Sequence, residues 1–202
     1  MAKANYFSAK RVTGLAILLA LVVVLQTALG SVKIGATSFS LVLIPIVLGG
    51  ILYGAWAGAF LGFVFGFITL IYGITGADYF TMVLFQAQPV ATTLLCILKG
   101  ATAGFAAGAL YKEISKKHEY AAVFTAAAAA PVVNTGLFIV GALCFFKNTL
   151  NANFVAQGST LIYFLFIGCA GVNFLVEFAV NLVAAPSLYR VYHIINGKRK
   201  KS

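Results

Sequence analysis

Long apolar runs broken by glycine, proline or short polar stretches occupy most of the chain, and their length predicts helices rather than strands. Six such segments can be drawn, at about 12–29, 39–53, 55–72, 89–111, 120–146 and 160–188. A run of about 20 apolar residues, rising about 1.5 Å each, crosses a hydrocarbon layer about 30 Å thick. The stretch from Phe39 to Tyr72 carries no charge, so its division at Leu52-Tyr53-Gly54 rests on length and glycine alone. Five or seven spans fit the same pattern. The expected fold is an all-α polytopic membrane protein of six transmembrane helices, one membrane domain over 1–202 whose last stretch, 189–202, is a basic tail.

Composition agrees with the pattern. Of 202 residues 62% are hydrophobic and 9% charged, with a mean hydropathy of +1.01. A soluble domain carries about 25% charged residues, so a water-soluble enzyme, a disordered chain and a secreted disulfide scaffold are excluded. Cys96, Cys144 and Cys169 stand singly, with no metal-ligand or CxxC spacing, and read as small membrane-helix residues. The first apolar run is longer than a signal-peptide core and is expected to remain as a membrane helix.

The net charge of +10 would suggest nucleic acid in a soluble protein, but its distribution says otherwise. With six spans, Lys3, Lys10, Arg11, Lys112, Lys116, Lys117, Arg190, Lys198, Arg199, Lys200 and Lys201 fall on one side. Lys33 and Lys147 fall on the other, together with Asp78. The positive-inside rule then places both termini in the cytoplasm. The Lys198–Lys201 run reads as part of that orientation signal, more than as an anionic-lipid site, and no nucleic-acid partner is expected. The outward loops are 30–38, 73–88 and 147–159. The second is long and semi-apolar, with Asp78, Tyr79, Phe80, Gln86 and Gln88, as a lid or binding loop would be.

Polar groups inside the apolar segments carry the candidate chemistry. Lys99 is the only charge in the fourth segment and Glu177 the only one in the sixth. Both are costly in lipid and must face protein or water. Asn173, Glu177 and Asn181, four apart, form one stripe, and Pro131 precedes Asn134-Thr135 in the fifth segment. A mid-helix proline frees a carbonyl and commonly marks a cavity in transporters. Counted from the outer helix ends, Lys99, Asn134 and Asn173 all lie roughly 15–20 Å deep, with Glu177 about a turn deeper. They can therefore line one pocket open to the outer side, in which Lys99 holds an anionic group and the asparagines bond hydroxyls or amides. Tyr79 and Gln88 of the second outer loop are further candidates. A structural alternative has Lys99 and Glu177 neutralising each other while the asparagines bridge helices.

Small residues recur every fourth position, as Gly54, Gly58, Gly62 and Gly66, then Gly100, Gly104 and Gly108, with Ala16 and Ala20 in the first segment. Such faces let another backbone approach closely, within the bundle or from a separate membrane partner. No GxxxxGK[ST], GxSxG or HExxH motif occurs, so neither ATP hydrolysis nor an intramembrane enzyme is expected, and no metal or cofactor.

Leu43-Ile44-Pro45-Ile46-Val47-Leu48-Gly49-Gly50, then Tyr53-Gly54-Ala55-Trp56-Ala57-Gly58 and Gly62-Phe63-Val64-Phe65-Gly66, resemble the helix 2–3 signature of S components. These are the substrate-binding subunits of energy-coupling factor (ECF) vitamin transporters. Asn134-Thr135, and Asn173 to Glu177 followed by Ala185-Pro186, are similar to that family's fifth and sixth helices. The resemblance implies a six-helix fold in the bacterial cell membrane, with a vitamin bound near the outer side under loops 1 and 3. It also implies that Ala16 and Ala20 dock a transmembrane T component, and that two cytoplasmic ATPase subunits complete the transporter. The helix 2–3 pattern is most similar to the pantothenate branch. Where that branch has an arginine in helix 4 this chain has Lys99, which meets a carboxylate as a point charge rather than a fork. Riboflavin or another vitamin is the alternative substrate, and a purely structural membrane protein the alternative class.

Overall fold

The computed structural model describes residues 9–29, 33–34, 37–38, 41–155, 158–169 and 171–199. The chain begins with α1 (Ala9–Leu29), then a two-residue antiparallel ladder of β1 (Lys33–Ile34) and β2 (Thr37–Ser38). Two helices follow, α2 (Leu43–Tyr53) and α3 (Ala55–Thr75), then a short α4 (Tyr79–Ala87). The long helices α5 (Pro89–Ile114) and α6 (Glu119–Phe145) come next, then α7 (Lys147–Asn153). A short α8 (Leu161–Tyr163) leads through a π-helical stretch (Phe164–Cys169) to α9 (Gly171–Arg199).

Five spans, in α1, α3, α5, α6 and the α8–α9 run, are long and apolar enough to cross a membrane. The polytopic all-α expectation therefore holds. The second expected span is shorter than drawn. Its 11 residues in α2 cover only about 16 Å, and Phe39 lies outside the described residues. The expected break at Gly54 is real and conformational. Its φ of 95° suits glycine, whereas nothing lies within 4 Å of where a Cβ would stand.

Three other boundaries are corrected. The 73–88 segment is no open loop, because Gly76 ends α3 in the left-handed region (φ 77°) and Asp78 immediately caps α4. Its carboxylate accepts from the Thr81 amide at 3.2 Å and from the Thr81 hydroxyl. The third outer loop contains α7, and the last helix continues through the expected tail to Arg199 rather than stopping at Leu188.

The glycine stripes explain how α3 and α5 form the most extensive interface in the protein. A Cβ on Gly58 would collide with the Gly104 carbonyl, one on Gly62 with that of Gly100, and one on Gly66 with that of Cys96. Only glycine permits this backbone-to-backbone approach, so the stripes serve the bundle itself. Of the three apolar clusters around this pair, two lie at its opposite ends. Toward the basic end Ala122, Ala126, Ala127 and Ala130 of α6 pack with Val47, Ile51, Ala107 and Ala185. Toward the opposite end Phe80, Leu84, Phe146, Leu150, Leu161 and Leu165 pack from α4, α7, α8 and the segments beside them. The space between floor and roof is where polar side chains collect.

Candidate functional site

A cavity of about 100 Å³ occupies that space. Helix α5 brings Lys99 to it, α6 brings Asn134, Thr135 and Phe138, and α9 brings Asn173 and Glu177. Four of the sequence candidates thus share one cavity. The π-helical stretch contributes Cys169, four positions before Asn173. Such π insertions recur at functional sites because they re-aim a helix face.

Lys99 is half-buried, and its Nζ lies 5.8 Å from the centre of the Phe65 ring and 5.5 Å from that of Phe138. No ion pair among the described residues joins it to Glu177. Asn134 is buried, and its Oδ1 has no hydrogen-bond partner among the described residues. An acceptor in that condition costs about 1–3 kcal/mol. The third member of the α9 stripe does something else: Asn181 lies outside the cavity wall and donates from Nδ2 to the Glu177 carbonyl at 2.8 Å.

Two candidates do not reach the cavity. In α4 the capping geometry turns Phe80, Thr81 and Leu84 inward, leaving Tyr79 54% exposed with its ring edge-on to Phe154. Gln88 instead closes the joint between helices, donating from Nε2 to the Phe145 carbonyl at 2.9 Å. Ala16 and Ala20 lie on the exposed side of α1, away from buried Leu18, Val22 and Gln26.

Sequence reasoning missed part of the wall. Asp78, expected in a loop, stands in the cavity lining along with Phe80 and Thr81. From the other side come Phe65, Thr69 and Tyr72 of α3 and Gln26 of α1. Gln26 had a legible signal, being the one amide in the first apolar run. Thr69 had none, since threonine is common in membrane helices bonded to its own backbone, as here to the Phe65 carbonyl at 3.0 Å.

The cavity offers a small polar molecule one ammonium, two carboxylates and several amides and hydroxyls. No group of three or more His, Cys, Asp or Glu among the described residues could hold a metal ion. Comparison with known proteins gives this cavity its context. The sequence pattern of the family described as ECF transporter, substrate-specific component, matches residues 10–189. The chain belongs to that family. A search of curated proteins finds no match to the sequence. A substrate-specific component is the substrate-binding subunit of a membrane transporter and not an enzyme. It works with a T component and ATPase partners. For such a subunit the cavity between the alanine floor and the aromatic roof is the natural candidate site.

Proposed function

We propose that this substrate-specific component captures a vitamin monocarboxylate, pantothenate, in the cavity around Lys99. The observation that carries the reading is the Lys99 ammonium, held over two phenylalanine rings on a wall that also supplies amides, hydroxyls and the carboxylates of Asp78 and Glu177. Pantothenate carries one carboxylate, two hydroxyls and an amide. Its carboxylate would meet Lys99, and Asn134 and Asn173 would bond its hydroxyls and amide. An ion pair at 4 Å is worth about 4 kcal/mol at an effective dielectric near 20, more than any single neutral hydrogen bond. Lys99 therefore sets which end of the vitamin goes where.

In this reading the basic end faces the cytoplasm and the α4–α7–α8 roof faces outward, so the vitamin enters from outside. Ala16 and Ala20 form the docking stripe for the T component, whose ATPase subunits power uptake. One observation favours a second substrate: Phe65, Tyr72, Phe80 and Phe138 all line the cavity and could stack on a flat ring such as that of riboflavin. Mass spectrometry of the small molecule released from gently purified protein separates the readings. Pantothenate supports the first and riboflavin the second. No bound molecule, together with no saturable binding of either vitamin, refutes both.

A further inference from the structure

Helix α1 has the lowest buried share of the five long helices, 17% against 28–39% for the others. Among its described residues a single line, Leu18, Val22 and Gln26, is buried. The first two enter the apolar cluster with Val42, Leu43, Ile46, Leu61 and Phe65. The third is an amide, which lipid would penalise and which the cavity wall accommodates.

Gln26 also touches the polar network. Its Nε2 donates to Thr69 Oγ1 at 3.4 Å, and the Thr69 hydroxyl donates to the Phe65 carbonyl at 3.0 Å. The Phe65 ring is one of the two beside the Lys99 ammonium. A continuous set of contacts thus runs from the ammonium through α3 to α1, whose opposite side exposes Ala16 and Ala20. Counted from the outer helix ends, Lys99 and Gln26 sit on the order of 10 Å apart along the helix axes.

We propose that Gln26 is a substrate-positioning residue whose amide bonds the end of the substrate remote from its carboxylate, coupling occupancy of the cavity to the seating of α1 on α3. The inference rests on the reading that the cavity takes the substrate. It deepens that reading by naming the class: an extended monocarboxylate with hydroxyl or amide groups at the far end, rather than a compact anion. Lys99 recognises one end and Gln26 the other.

The test pairs pantothenate binding with a distance measurement. In a Cys144→Ser background, spin labels are placed at Ile17→Cys on α1 and Val183→Cys on α9, both exposed positions. With Gln26 in place, pantothenate should narrow the distance distribution. Gln26→Met, which keeps the side-chain length and removes the amide, should lower pantothenate affinity at least tenfold and abolish the narrowing. Gln26→Leu should do the same, and a thermal unfolding midpoint like that of the parent protein shows that either variant is folded. Loss of affinity without loss of narrowing, the reverse, or neither overturns the proposal, as does the absence of narrowing in the parent. If the parent protein does not bind pantothenate, the vitamin assignment fails instead, and the same pair of measurements is made with the member of a vitamin panel that binds.

Discussion

An ammonium at the centre of a membrane helix costs about 2.5–3.5 kcal/mol on insertion scales, and a desolvated aromatic face returns up to about 2 kcal/mol. Two rings beside Lys99 therefore offset much of that cost, and the carboxylates of Asp78 and Glu177 line the same cavity. Asn134 presents the complementary case. Its Oδ1, partnerless among the described residues, predicts that Asn134→Leu raises the thermal midpoint while lowering vitamin affinity about tenfold, roughly one hydrogen bond's worth. A calorimetric titration and a melting curve on the same sample check both signs. At this scale the sequence was most legible where the contrast was greatest. Lys99, Asn134, Asn173 and Glu177 stand out because their neighbours are apolar. Tyr79 and Gln88 were indistinguishable from cavity residues because a capping residue, Asp78, decides which way the short α4 faces.

Among the elements, the two glycines at the ends of the argument differ in kind. Gly62 is needed because a Cβ would enter the Gly100 carbonyl, Gly54 because of its backbone angle alone. Gly62→Val is expected to destabilise the protein by about 3 kcal/mol or more, since neither backbone can yield. Gly54→Ala should cost about 1–3 kcal/mol, the penalty of a side chain in a positive-φ extended conformation (φ 95°, ψ 169°) that is essentially glycine's alone. Chemical unfolding in detergent micelles followed by circular dichroism would rank them, and an equal effect would contradict the distinction. The stripes themselves were readable from spacing, but that they face each other across α3 and α5 was not, because spacing defines a face and not its partner. Helix α4 escaped notice for a related reason: nine residues give too short a period to separate a helix from a semi-apolar loop. The limits of α2 and α9 show the same thing at helix ends, where hydropathy ignores caps and turns.

For the whole molecule, an alanine-packed floor, a polar middle and an aromatic roof make a vessel. The polytopic class was legible from charge scarcity alone, and the family from the helix 2–3 pattern. The vessel was not, since it depends on which apolar faces meet. Helix α1 stands apart as the thinly packed wall, with its small residues outward. Replacing Ala16 or Ala20 with Trp should abolish vitamin uptake in cells carrying the complete transporter while leaving binding to the purified subunit within about twofold. Loss of both would mark a folding defect rather than a docking one. The most direct test of the account is equilibrium binding of radiolabelled pantothenate to the purified chain without ATP, compared with Lys99→Met. The account predicts saturable binding at one site per chain, weakened at least tenfold by the substitution in a protein that still folds. Equal affinity in the two proteins would contradict it.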